Sequence, residues 1–255
     1  MQDEEIYNSM RILEARLTKT KEKMQKIKHK IAVYSGKGGV GKTTVAANTA
    51  AALANLGFSV GFFDADIDCP NAHKLFGIDE LARFEDNKTL KPVEKNNVKF
   101  ISMALVQEGN NAIIWRGPML AKAVNDLMFY SEWGDLDFLI IDMPPGTSDI
   151  PLTVMKSFDL SGFLLVTTPQ QMAINDMVRS ANMVSHMNFP VIGIIDNMCG
   201  DVFGCSDEKI AKELDTKFIG HIKLSKMLRE KSDKGQLCPE EFKGIAKAIK
   251  NYYNI

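Results

Sequence analysis

The chain reads as an α/β protein built on one doubly wound, mostly parallel sheet with helices on both faces. Three observations predict this. Short runs that are apolar throughout recur at residues 31–34, 60–63, 138–141, 163–166, 191–195 and 218–220. Strands buried on both faces carry such runs, because neither side meets water. Stretches of helical character, at 42–56, 117–130, 149–158, 173–187 and 206–214, lie between most of them. That alternation implies right-handed crossovers and a parallel sheet. The third observation is a glycine-rich turn between the first apolar run and the first helical stretch. An open α/β sheet puts its anion site at such a turn.

Taken in order, residues 3–28 lack Gly and Pro, and Ile6, Met10, Leu13, Leu17, Met24 and Ile27 fall near helical spacing. This predicts one amphipathic helix and divides the chain into an N-terminal amphipathic, basic helix (1–29) and a nucleotide-binding domain (30–255). The second half of the helix carries Arg16, Lys19, Lys21, Lys23, Lys26, Lys28 and Lys30. A solvated face is the preferred reading over contact with an acidic partner, since the whole chain is balanced in charge. The rhythm breaks at 86–103, where two short β-prone runs flank Asn96-Asn97 and predict a local hairpin or loop insertion. Helices at 225–234 and 240–253 close the chain. The second of these has Phe242, Ile245, Ile249 and Tyr252 on one side and Lys243, Lys247 and Lys250 elsewhere. Docking on the sheet is preferred to lying in a membrane interface.

Composition bounds the function classes. The chain has 255 residues, 45% hydrophobic and 25% charged, with a formal net charge of −1. No global field draws it to nucleic acid or to anionic lipid, so neither is expected as a partner. No apolar run approaches the roughly 20 residues of a spanning helix. The acidic, polar start is unlike a secretory leader, so the expected location is the cytoplasm. Cys69, Cys199, Cys205 and Cys238 would then be reduced, which favours thiolate chemistry or metal binding over structural disulfides. His73, His186 and His221 are isolated in sequence, and His29 lies in the basic run, so structural or surface roles are expected for all four.

Residues 35–44 read Ser-Gly-Lys-Gly-Gly-Val-Gly-Lys-Thr-Thr, which fits G-x-x-x-x-G-K-[ST] between a strand and a helix. The candidate nucleotide-binding residues are Gly36, Lys37, Gly38, Gly39, Val40, Gly41, Lys42, Thr43 and Thr44. The glycines let successive N–H groups point inward, and the helix N-terminus completes an anion cradle. Lys42 neutralises phosphate charge, and the Thr43 hydroxyl is a Mg²⁺ ligand. The bound species is therefore ATP with Mg²⁺. Lys37, one residue after the first glycine, is an addition to the usual pattern. It supplies a second positive charge and, across a dimer, reaches a partner's nucleotide as an arginine finger does.

Two strand ends are acidic. The run at 60–63 ends in Asp64-Ala65-Asp66-Ile67-Asp68, and the run at 138–141 ends in Asp142-Met143-Pro144-Pro145-Gly146-Thr147. Carboxyl ends of parallel strands converge on the ligand. Asp142 suits the Walker B role at Mg²⁺, and Asp66 orients the attacking water. The stiff turn after Asp142 offers the Gly146 N–H as a γ-phosphate sensor. Asn197, after the run at 191–195, offers an amide to the adenine edge, with a turn or cap role as the competing reading.

The motifs GKGGVGKTT with Lys37, DADIDCPN, WRGP at 115–118, IDMPPGTSD and DNM at 196–198 together resemble the Mrp (ApbC-like) iron–sulfur cluster carriers of the deviant-Walker ParA/MinD class. The resemblance runs in order from about residue 28 to 250. It implies a homodimeric ATPase with two ATP sites at the interface, Lys37 acting in trans, Asp66 acting on water, and a bridging [4Fe–4S] cluster passed to apoproteins. The family's usual Cys-x-x-Cys is replaced by Cys199 and Cys205 with five residues between them. Two readings stay open for this pair: cluster ligands contributed by each chain, or unrelated thiols. Cys69 stands in place of a family glycine and Lys223 in place of a proline. A MinD- or ParA-like positioning ATPase that binds membrane or DNA is the alternative, followed by a metallocentre-maturation ATPase.

Overall fold

The computed structural model describes residues 18–20, 22–67, 69–85, 89–106, 117–147, 149–206 and 209–255. The expectations for residues 1–17 of the basic helix and for Trp115 and Arg116 of the WRGP motif lie outside them.

Eight strands form one sheet. Strand β1 spans Ile27–Tyr34, β2 Val60–Asp64, β5 Val93–Lys95, β6 Val98–Ser102, β7 Leu136–Asp142, β8 Gly162–Thr167, β9 Val191–Cys199 and β10 Phe218–Lys223. The spatial order is β10-β9-β8-β1-β7-β2-β6-β5. All neighbours are parallel except the edge pair β5–β6, so the predicted sheet is the one observed. Strands β3 (Arg83–Glu85) and β4 (Thr89–Lys91) form a separate small antiparallel pair. The hairpin at 93–102 turns at Asn96-Asn97, both at positive φ (53° and 58°), the conformation a two-residue hairpin loop requires.

The helices are α1 (Lys42–Asn55), α2 (Ala72–Phe76), α3 (Gly117–Tyr130), α4 (Asp149–Ser157), α5 (Gln171–His186), α6 (Lys209–Glu213), α7 (Lys226–Asp233) and α8 (Lys243–Tyr252). They sandwich the sheet between two apolar clusters. One joins Ile31, Val33, Phe62 and Phe138 with α1 and α8. The other joins Tyr34, Phe63, Ile141 and Leu165 with α3, α4 and α5. Alternate residues of β1 feed opposite clusters, as a strand's two-residue period dictates.

Two sequence expectations change here. Strand β1 begins at Ile27, so residues 27–29 belong to the sheet and not to the N-terminal helix. Ile27 pairs with Leu136 of β7, and that ladder overrides the helical spacing of Met24 and Ile27. Part of the basic run is also spent on partners within the fold. Lys23 donates to the carbonyls of Phe129 (2.9 Å) and Ser131 (3.1 Å). Lys28 pairs with Asp137 at 2.8 Å, and the buried Lys30 ammonium donates to the Ile27 carbonyl at 3.2 Å. The C-terminal helix docks as preferred. Phe242, Ile245 and Ile249 are buried in the cluster shared with α1. Among the described residues no helix is long and apolar enough to cross a membrane.

Candidate functional site: a phosphate loop joined to a thiol pair

The phosphate loop follows β1 in the middle of the sheet. The chain goes on from β1 to β2 on one side and later to β8 on the other, so the loop sits where the strand order reverses. Gly41, at φ 80°, is the residue from which α1 departs. A side chain there would meet the Asn197 amide at 2.2 Å. Gly36 is required by proximity, since a Cβ would lie 2.1 Å from the Asp176 carbonyl oxygen on α5. Helix α1 has no acidic residue in its first turn, which leaves its N-terminal dipole free for an anion.

Register brings the acidic strand ends together. Strands β2 and β7 pair so that Asp64 lies beside Asp142. Lys42 reaches over to Asp142 Oδ1 at 2.5 Å, with the two side chains 6% and 1% exposed. Asp142 Oδ2 is buried and, among the described residues, has no hydrogen-bond partner. A buried carboxylate oxygen left bare is costly unless a cation or donor fills it. This orphan atom, near the Thr43 hydroxyl that lies 3.5 Å from Lys42 Nζ, fits the Mg²⁺ that accompanies ATP.

Asp64 takes a defined place among these converging acidic strand ends. Ser102 donates its hydroxyl to Asp64 Oδ2 at 2.9 Å, and the Asp66 N–H donates to Oδ1 at 3.2 Å. Burial first, then the Asp142 charge beside it, pushes the Asp64 carboxyl well above the usual carboxylate range. Asp66 itself is half-buried at the mouth of the site. Lys37 is also half-buried.

Two loop contacts differ from expectation. The Gly146 N–H donates to the Ser35 carbonyl at 3.0 Å, and the Tyr34 hydroxyl donates to the Gly146 carbonyl. The turn after Asp142 is therefore tied to the phosphate loop itself. Asn197 Nδ2 donates to the Val40 carbonyl at 2.8 Å, so this amide braces the loop from strand β9.

The same strand carries the thiols. Cys199 ends β9, and its sulfur is joined to that of Cys205, with Cα atoms 4.8 Å apart. Gly200 and Gly204 exchange backbone hydrogen bonds of 2.9 and 2.7 Å, closing a turn over residues 201–203. That turn brings the two cysteines together despite the five residues between them, because the chain doubles back. The expectation of reduced, unlinked cysteines is corrected accordingly for this pair: these two sulfurs are close enough to bond. His221 is not isolated either. Its Nδ1 lies 3.1 Å from Asp196 Oδ2, and the Ser206 N–H donates to the same oxygen at 2.7 Å. Sequence reasoning passed over Asp196 and His221, since only strand pairing brings them together. Two sulfurs at the end of a surface turn, Cys205 exposed and Cys199 buried, are a donor set suited to iron.

Comparison with known proteins agrees with this geometry. A family model described as "ParA: NUBPL iron-transfer P-loop NTPase" matches residues 26–254. An iron–sulfur cluster carrier protein from Methanocaldococcus jannaschii is 41% identical, over 95% of this chain and 91% of its own length. One from Pyrococcus furiosus is 43% identical, over 84% and 80%. Among solved structures, a nucleotide-binding protein from Archaeoglobus fulgidus in complex with ADP, with Co, superposes with a TM-score of 0.75 at 31% identity, over 89% of this chain and 95% of that one. The septum site-determining protein MinD of Pyrococcus horikoshii, with Mg-ADP, has a TM-score of 0.68 at 22% identity, over 89% and 98%, a likeness of fold. With a phosphate loop, a buried lysine–aspartate pair and a matched span of nearly the whole chain, this protein belongs to the NUBPL iron-transfer P-loop NTPase family.

Proposed function

We propose that the chain hydrolyses Mg-ATP at residues 36–44 and uses that cycle to gate an iron–sulfur cargo held at Cys199 and Cys205. In this reading it acts in the cytoplasm as a homodimer that passes a [4Fe–4S] cluster to apoproteins. One observation carries the proposal. Asn197 grips the phosphate loop at Val40, and Cys199 lies two residues further along the same strand. Movement of the loop is felt at the thiols through one continuous piece of backbone.

The chain's own groups divide the work as follows. The loop amides and the N-terminus of α1 bind the phosphates, and Lys42 exchanges Asp142 for phosphate oxygens. Asp142 Oδ2 and the Thr43 hydroxyl hold Mg²⁺, which supplies charge neutralisation at the β- and γ-phosphates. Asp66 orients water for in-line attack. Lys37 reaches the nucleotide of the facing subunit. Hydrolysis frees the turn at Gly146 to return to the Ser35 carbonyl, its place in this structure.

The relatives named as cluster carriers support the cargo, and the sulfur pair supports its place. The membrane-binding alternative loses its support, because the apolar face of α8 is already covered. The test is anaerobic reconstitution of the reduced protein with iron and sulfide. A broad visible band should form and disappear in Cys199→Ala, and the loaded protein should activate an apo iron–sulfur enzyme faster with ATP than without. No band in the wild-type protein, or an unchanged band in the variant, would sink the reading.

A further inference from the structure

We propose that a single chain, with the Cys199–Cys205 pair reduced, binds one divalent transition-metal ion between Asp196, Cys199, Cys205 and His221. Ligand atoms from these four residues lie within 4.8 Å of one another. A tetrahedron built on bonds of about 2.0–2.3 Å has edges of roughly 3.3–3.8 Å, so closing the set asks for shifts on the order of 1 Å. Cys205 and His221 lie toward the surface and have room for that movement, while Asp196 and Cys199 are fixed in the sheet.

Asp196 points to the ligand independently. Its side chain is fully buried, and Oδ2 is taken by Ser206 and His221. Among the described residues Oδ1 has no hydrogen-bond partner. An unpaired carboxylate oxygen in the interior is expensive, and here it belongs to the same cluster as two sulfurs and an imidazole.

Backbone geometry adds to the case. In a regular strand residues 196 and 199 face opposite ways, because the pleat alternates. Met198 sits at φ 61°, a left-handed conformation that a long side chain adopts at a cost. That break in the alternation lets Asp196 and Cys199 share a side, and the β9–β10 register sets His221 beside Asp196. Two thiolates, one imidazole and one carboxylate suit Zn²⁺, Fe²⁺ or Co²⁺ and disfavour Mg²⁺ or Ca²⁺. The site shares its cysteines with the carrier reading but needs no second chain.

Cobalt(II) is the probe, titrated anaerobically into the full-length protein reduced with a phosphine. One Co²⁺ per chain is expected, with the intense red-region bands of tetrahedral thiolate coordination. His221→Ala and Asp196→Asn should each weaken binding by about 10-fold or more, with circular dichroism confirming the fold. His221 is partly exposed, so its variant decides the matter if Asp196→Asn folds poorly. Cobalt bound at half an ion per chain, or equally well by His221→Ala, would overturn the inference. Cobalt binding that depends on His221, in a protein that never forms a [4Fe–4S] band, would defeat the carrier reading and leave this one standing.

Discussion

Lys42 and Asp142 show how little slack the site has at the scale of single residues. Both are buried and each is the other's counter-charge, so removing one strands the other. Lys42→Met is expected to destabilise the chain by about 3–5 kcal/mol in urea unfolding, besides abolishing nucleotide binding in calorimetry. Adding Asp142→Asn should recover much of the stability and none of the binding, which separates the structural part of the pair from the functional part.

His29 offers a second residue-scale check. Burial first, then the charges of Lys28 and Lys30, hold its imidazole below the usual value, and its ring lies 4.0 Å from that of Tyr253. A histidine depressed in the folded state binds fewer protons than in the unfolded state across the window below about pH 6.5. Stability is therefore lost as pH falls through that window. His29→Phe should flatten this slope in thermal melts between about pH 7 and pH 5, whereas an unchanged slope would assign the effect to other groups.

Among the elements, α5 and β9 decide how the loop is held. Helix α5 presses the Asp176 carbonyl against Gly36, and β9 presses Asn197 against Gly41. Gly36→Ala is expected to displace α5 or the loop, lowering ATP affinity by at least about 10-fold while leaving the far helix α8 docked. Hydrogen exchange would show the disturbance confined to residues near the loop and α5. Helix α8 itself is anchored in part through α1. The Cys238 N–H donates to Asn48 Oδ1 at 2.5 Å, just before the final turns. The C-terminal amphipathic pattern is thereby explained as core packing.

At the scale of the whole molecule, the question is what Lys37, the added cation of the phosphate loop, does. If it acts across a dimer, Lys37→Ala should lower ATP turnover by about 10³-fold or more while ATP binding to the single chain survives. Mixing this variant with an Asp66→Asn variant should restore activity in the mixed dimers, because each intact site then draws its lysine from the other chain. No recovery on mixing would make Lys37 a residue of its own site.

The fold was largely legible in the chain. Continuous apolar runs marked six of the seven parallel strands of the sheet, all but β6, since burial on both faces leaves no room for polar alternation. The phosphate loop was legible too, because a contiguous segment supplies most of its chemistry. Asp142 was legible as the acidic end of a strand. Where reading failed, the reason was pairing across distance. Helical spacing extended over residues 27–29 until β7 claimed them, and the small helix α2 carried too few residues to show a period.

By itself, then, the sequence determined a parallel α/β protein with a nucleotide cradle at residues 36–44, because local glycine geometry and apolar runs need no distant partner to be read. Only the tertiary structure decided that Asp64 stands against Asp142, that Asn197 braces the loop, and that Cys199, Cys205, Asp196 and His221 meet at one point. Those meetings depend on strand register and on the reversal of one turn, quantities set by long-range hydrogen bonding and not by any contiguous stretch of residues.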